Sequence, residues 1–275
     1  PETPVNELSA ITLDGIPVAE PMFILDTTDD AGPIYVEPFA GGFFAHCVYQ
    51  LGAEEGGPAM VFYKKSFATK EYEWVQSMLD ATLLPPLHIH DRSRYVVFGA
   101  YETIVFDATP TANNFTEEVR FSHPLRNPRA ASASADGTLH YLGEGASGIE
   151  LVATDLRGQV LWQWTADASA TAPSVSVPPV VNEDGRILVL AGPSLTAIDR
   201  GSLAWTFTPP DAPQHVTALA GGSVLVVAGP RVHALSADGD ELFQVDVNAP
   251  LQTPAVVDAD GTLFVAGSRT LYRIH

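Results

Sequence analysis

The chain has 275 residues, of which 46% are hydrophobic and 17% are charged, so it has enough apolar residues to bury a sizeable core. Its 33 acidic and 14 basic side chains give a formal net charge of −19, a field that repels polyanions and excludes nucleic acid as an expected partner. No apolar run reaches the roughly 18 residues that a membrane-spanning helix needs.

The N-terminal segment, residues 5–25, reads as short strands. Its stretch from Leu8 to Val18 resembles the end of a repeat unit that recurs along the rest of the chain. The chain opens at Pro1 without an initiator Met, which is consistent with a mature protein cut from a signal segment. A membrane tether through such a removed segment stays open as an alternative.

Two repeat units are predicted in the first half of the chain, at residues 33–76 and 85–121. Both carry the repeat loosely, as apolar runs separated by turn residues. Trp74 occupies the aromatic position near the end of the first unit, and Phe121 fills that position in the second.

Three clearer units follow, at residues 128–165, 178–207 and 216–247. Each begins with an apolar run, an Asp-Gly or Gly-Gly turn, and a second apolar run that ends in Gly. Asp-Gly between two apolar runs predicts a hairpin, because the turn needs a residue with positive φ. A third strand, another turn and an aromatic residue complete each unit, and the aromatic always lies four residues after the turn Gly. The three aromatics are Trp162, Trp205 and Phe243.

The second strands of these units are apolar at nearly every position, as in Ile187–Leu190 and Val224–Val227. A strand that is buried on both faces has this pattern, whereas a strand with one open face alternates apolar and polar residues. The pattern therefore predicts that further sheets cover both faces of each sheet.

The last unit, residues 254–275, has three predicted strands and no fourth. We expect residues 5–25 to supply the missing strand, because that closure leaves no unpaired sheet edge. Four antiparallel strands in about 40 residues are typical of a propeller blade. The sequence thus predicts an all-β fold with a single β-propeller domain over residues 1–275, whose expected number of blades is six.

The spacing of turns and aromatics resembles the PQQ-like repeat, most clearly from residue 128 to the end. The resemblance implies that the aromatic fourth strands dock neighbouring blades together. On this basis four residues are expected to be structural: Trp74, Trp162, Trp205 and Phe243.

The PQQ-like family contains quinoprotein dehydrogenases and also non-catalytic propellers, such as the bacterial outer-membrane assembly lipoprotein. The dehydrogenases are usually much larger, hold calcium and often carry adjacent cysteines near the cofactor. This chain has one cysteine and no recognisable cluster of cofactor ligands. The resemblance therefore favours the non-catalytic branch, without bound PQQ.

His88 and His90 are the candidate metal ligands. They flank Ile89 in a predicted strand, so both side chains face the same side. Such a pair ligates zinc or copper when further ligands join it. Ordinary surface or hydrogen-bonded histidines are the alternative, and the sequence identifies no catalytic residue.

Two functional hypotheses follow. The first is a non-enzymatic binding or scaffold propeller that acts outside the cytoplasm, in the periplasm, at the outer membrane or as a secreted bacterial protein. It would hold a protein or small molecule at its loop face or central channel. The second is a metal-dependent hydrolase, lactonase or lyase with its site at the channel. Converging ionisable side chains would favour the enzyme, and an apolar or aromatic patch would favour the scaffold.

Overall fold

The computed structural model describes residues 5–8, 23–26, 31–39, 42–50, 58–66, 72–79, 84, 86–89, 94–99, 101–107, 116–145, 148–166 and 177–274. These residues are almost all strands and turns, with a single 3-10 turn at Ala220–Gly222. In these ranges no helix has the length and apolarity that a membrane span requires. The chain divides into two compact units, residues 1–120 and 121–275.

The first unit contains a two-stranded antiparallel pair and two four-stranded sheets among its described residues. The pair consists of β1 (Val5–Leu8) and β2 (Phe23–Asp26). The first sheet runs in chain order through β3 (Ala31–Phe39), β4 (Gly42–Gln50), β5 (Pro58–Ser66) and β6 (Tyr72–Leu79). The second runs through β7 (Leu87–Ile89), β8 (Arg94–Phe98), β9 (Glu102–Asp107) and β10 (Thr116–Ser122), which ends just inside the second unit.

The second unit contains three four-stranded sheets and one three-stranded sheet, counted over its described residues. The first comprises β11 (Asn127–Ala133), β12 (Leu139–Gly145), β13 (Gly148–Thr154) and β14 (Val160–Thr165). The second comprises β15 (Val180–Val181), β16 (Ile187–Ala191), β17 (Ser194–Asp199) and β18 (Ser202–Phe207). The third comprises β19 (Pro213–Ala218), β20 (Val224–Ala228), β21 (Arg231–Leu235) and β22 (Glu241–Asp246). The last comprises β23 (Val256–Val257), β24 (Leu263–Ala266) and β25 (Leu271–Ile274).

These sheets confirm the prediction of an all-β chain built from four-stranded antiparallel sheets. In the described residues β1 pairs with β2, and β25 has no fourth strand beside it. The number of blades, the closure by residues 5–25 and the single domain over 1–275 stay predictions.

The core of the second unit lies between successive sheets. Side chains of β16 alternate between two clusters: Ile187 and Val189 pack with residues of the preceding sheet, and Leu188 and Leu190 pack with residues of the following one. All five residues of β16 and of β20 are buried, as the sequence predicted for strands covered on both faces. A third cluster joins the β19–β22 sheet to the last sheet through Leu225 and Val265.

The Asp-Gly turns share one geometry. Gly137, Gly185 and Gly261 have φ values of 90°, 83° and 85°, in the left-handed region that glycine adopts without strain. The preceding aspartate accepts a hydrogen bond at Oδ1 from the backbone N–H two residues later, as Asp136 does from Thr138 at 2.9 Å. The predicted hairpin turns are therefore confirmed, with the aspartate as the acceptor that closes them.

The fourth strands share an irregular register. In four of the described sheets, one extra residue interrupts the pairing of the third and fourth strands. The extra residue always comes directly before the aromatic position, and these residues are Glu73, Leu161, Ala204 and Leu242.

Candidate functional site

A cleft of about 1000 Å³ opens where the turns of three sheets meet in the second unit. It is lined by residues of the β11–β12 turn (133–138), the β15–β16 turn (181–185) and the β19–β20 turn (218–220). The β17–β18 turn adds Asp199 and Arg200. Each wall is thus a short hairpin connection whose position is fixed by the strands on either side.

The cleft is acidic. In the described part of the chain, four carboxylates and one guanidinium line it: Asp136, Glu183, Asp184, Asp199 and Arg200. All five side chains belong to exposed residues. Carboxylates that outnumber cations inside a concave wall concentrate a negative potential there.

Two of these carboxylates have partners within the protein. Glu183 accepts a hydrogen bond at Oε2 from the backbone N–H of Gly221, on the neighbouring sheet's turn. The Asp184 Oδ2 lies 3.3 Å from the Arg186 guanidinium, and its Oδ1 accepts from the Arg186 backbone N–H at 3.0 Å. Part of the negative charge on this wall is therefore already engaged within the protein.

Asn182 links the β15–β16 turn to the β19–β20 turn. Its side chain is buried, with 3% of its surface exposed. Its Nδ2 donates a 2.7 Å hydrogen bond to the Gly222 carbonyl oxygen, and its Oδ1 accepts from the Glu183 backbone N–H at 2.9 Å. The Nδ2 hydrogen bond therefore links the second turn to the third, while Oδ1 is satisfied within its own turn.

His140 projects from β12 and lines the cleft although only 2% of its surface is exposed. Its Nδ1 is buried and has no hydrogen-bond partner. Its ring stands 5.8 Å from the Trp162 ring, centroid to centroid, at a tilt of 39°. Burial lowers the pKa of His140 to about 4, against a smaller opposing effect of the Asp136 charge. At neutral pH the imidazole is uncharged and offers one nitrogen as an acceptor.

The predicted aromatics occupy different environments. Trp205, on β18, donates a hydrogen bond from Nε1 to the Ala237 carbonyl oxygen at 2.8 Å. Trp162, on β14, packs on the core between the first two sheets of the unit and lines the cleft. Phe243, on β22, is 51% exposed. Trp74 lies in β6 opposite Lys64, and its side chain is outside the described part.

The histidine pair is only partly within the described residues. His88 lies in β7, paired with Tyr95 of β8, whereas β7 ends at Ile89 and His90 falls outside the description. Within the described ranges, no group of three or more His, Cys, Asp or Glu residues is arranged to hold a metal ion. A metal site at these two histidines stays a prediction.

Sequence reasoning missed the cleft. It treated the Asp-Gly pairs only as turns, and it singled out His88 and His90 rather than His140. One signal was available: His140 stands in a second strand, where the equivalent residues of the next two units are Leu188 and Leu225. The convergence of the turns could not be read from spacing, because it depends on how the sheets stack.

Comparison with known proteins gives one family and one fold. The PQQ_2 family model, described as outer membrane protein assembly factor BamB, matches residues 55–228 and 193–275. A search of curated proteins found no match. The WD40 β-propeller domain of Doa1 is 11% identical, with 84% of this chain and 74% of that chain covered and a TM-score of 0.51. A protein of unknown function from Bacteroides caccae is 14% identical over 82% of each chain, with a TM-score of 0.46.

Proposed function

Because this chain belongs to the PQQ-like repeat family described as outer membrane protein assembly factor BamB, we propose that it is a non-enzymatic binding or scaffold propeller. It acts outside the cytoplasm and holds a protein partner at the turn face of its sheets. The observation that carries this proposal is the cleft of about 1000 Å³, where turns of three sheets meet and bring four carboxylates together. A concave site with convergent polar groups on well-ordered turns is a typical place for a partner to bind.

The proposed architecture is a single six-bladed propeller in which residues 5–25 complete the last blade. The last strand supports this closure, because Leu271 of β25 exposes 68% of its surface at the edge beside which the missing strand would pair. In the same scheme the aromatic residues of the fourth strands dock each blade onto the next. The contact of Trp205 with Ala237, which belongs to the following sheet's turn, supports that role.

The proposed location is the periplasm, the outer membrane or the medium of a bacterium. The family description as an outer membrane assembly factor supports both this location and a protein partner. The net charge of −19 argues against nucleic acid and against an anionic membrane surface as the principal contact.

The test is photocrosslinking in the native host, with a photoreactive amino acid at Ala135 or at Pro193. Ala135 is an exposed residue of the cleft, whereas Pro193 is exposed at the other end of β16. We expect a discrete adduct of higher mass from position 135 and none from position 193. Equal adducts from both positions, or none from position 135, would contradict a partner-binding role for the cleft.

A further inference from the structure

The proposed function leaves the chemistry of the partner open, and the cleft restricts it. Carboxylates outnumber guanidinium groups by four to one among its described lining residues, so the site disfavours an anion. Asp136 lies on the β11–β12 turn and Asp199 on the β17–β18 turn. Since these two exposed carboxylates belong to different sheets, they are placed to approach one ligand from two walls.

A second and independent feature is a neutral imidazole in the wall of the cleft. The imidazole of His140 is almost wholly buried, lines the cleft and lacks a partner at Nδ1. One of the two ring nitrogens of a neutral imidazole is an acceptor, which can take a hydrogen bond from an N–H group of a ligand. A neutral imidazole accepts such a hydrogen bond without repelling a cation.

A third feature is the shape of the cleft wall. Trp162 is half-buried and lines the cleft, and its ring contacts the His140 ring at a tilt of 39°. Four alanines also line the cleft, namely Ala133, Ala135, Ala218 and Ala220. An indole beside small residues leaves room for a flat group, and a guanidinium binds the face of an indole better than an ammonium does.

We propose that the cleft receives an arginine side chain of the protein partner, held by Asp136 and Asp199 against Trp162, with His140 as a hydrogen-bond acceptor. This inference rests on the proposed function and names the chemistry of the partner. A guanidinium meets all three features at once, because it is cationic, planar and carries five N–H donors. A lysine ammonium meets the charge requirement but fits the indole face less well.

The probe is N-acetyl-arginine amide, titrated into the whole chain while ¹⁵N and ¹³C NMR signals are followed. N-acetyl-citrulline amide is the matched control, because it has the same shape and lacks the charge. We expect arginine amide to shift the His140 ring nitrogens and the Trp162 indole signal, and to bind at least about tenfold more tightly than citrulline amide. Equal affinity for the two amides, or shifts that lie outside the cleft, would overturn the proposal.

Two conservative variants test the carboxylates. D136N keeps the turn, because an Asn Oδ1 can still accept from the Thr138 N–H. D136N and D199N should each weaken arginine binding by about threefold to tenfold. D240N removes the same charge from an exposed turn outside the cleft and should leave affinity unchanged. If D240N weakens binding as much as D136N and D199N do, the effect is general electrostatics and the proposed site is wrong.

The crosslinking and NMR results separate the two proposals. An adduct at position 135 without preference for arginine amide would leave the binding function standing and reject the arginine site. Preference for arginine amide without an adduct would support the site and reject the partner-binding function. Failure of both experiments would reject both proposals.

Discussion

The indole Nε1 of Trp205 donates a hydrogen bond to the carbonyl oxygen of Ala237 at 2.8 Å, which ties the fourth strand of one sheet to the last turn of the next. The guanidinium of Arg186 donates to the same carbonyl oxygen from a different turn of the Trp205 sheet. The indole ring also covers Gly239, two residues further along. The β21–β22 turn is therefore held by hydrogen bonds from Trp205 and Arg186, two side chains of the preceding sheet.

Two substitutions of Trp205 should separate the stability contributed by the ring's packing from that contributed by its hydrogen bond. W205F keeps most of the apolar contact and loses the donor, so we expect a loss of about 1 kcal/mol of unfolding free energy, because Ala237 O keeps Arg186 as a partner. W205A removes the ring as well, and we expect a loss of about 3 kcal/mol. Urea unfolding followed by circular dichroism measures both. Equal losses in the two variants would contradict a packing role for the ring.

Adding one methyl group at Gly239 should be much more costly than adding it at Gly261. Both glycines have positive φ, 87° and 85°, so alanine costs about 1 kcal/mol of backbone strain at either position. At Gly239 the new Cβ would lie 2.6 Å from the Trp205 ring, whereas at Gly261 it would meet no atom within 4 Å. We expect G239A to lose roughly 1–3 kcal/mol more than G261A in the same urea experiment. Matching midpoints would refute the close packing of Trp205 on this turn.

The side-chain amide of Asn182 should be essential to the joint between two turns. N182A leaves the buried Gly222 carbonyl without its donor, and we expect a loss of about 1–3 kcal/mol. N182D keeps an acceptor for the Glu183 N–H but turns an oxygen toward the Gly222 carbonyl, so it should be at least as destabilising. Thermal unfolding checks both. If N182D is as stable as the unmodified chain, the Gly222 hydrogen bond does not contribute to stability.

Stability should fall on mild acidification because of His140. Its pKa is lowered to about 4 in the folded chain, while in the unfolded chain it titrates near the ordinary 6.5. The unfolded state therefore binds a proton first, and the stabilisation is complete above pH 6.5 and lost as the pH falls to about 4. The difference corresponds to on the order of 3 kcal/mol. The H140L variant should lack this pH-dependent part of the free energy of unfolding.

Denaturant midpoints at several pH values between 4 and 6.5 would measure this effect. The comparison is between the slopes of the two proteins, because leucine also changes the packing at every pH. In the lower part of this window carboxylates titrate as well, so only the upper part isolates the histidine. Parallel slopes for H140L and the unmodified chain would contradict a buried neutral imidazole.

Much of the fold could be predicted because its signals are local. An Asp-Gly pair needs only its own turn to be recognised, and the continuous apolar run of β16 reports burial on both faces by itself. The aromatic positions recur at a constant distance from a turn Gly, so their register was also visible. Each of these features is determined by residues that are neighbours in the sequence.

The cleft and the contacts of the aromatics could not be predicted in the same way. Asn182 meets Gly222 across 40 positions of sequence, and no spacing rule links them. Trp205 and Phe243 have the same place in their repeats, yet Trp205 contacts a following turn and Phe243 is half exposed. Phe121 and Trp205 lie against the equivalent turn glycines Gly158 and Gly239, so the repeat fixes this contact while the sequence of the next sheet decides the remaining surroundings.

The extra residue before each aromatic has a consequence for the protein's solubility. A fourth strand with a regular hydrogen-bonding edge can recruit a strand from another copy and begin aggregation. At Leu161, Ala204 and Leu242 the ladder is broken, and the strand bends where an incoming chain would have to pair. The same irregularity on successive sheets makes each of these edges a poorer template for a strand of another copy, even where leucines are exposed on it.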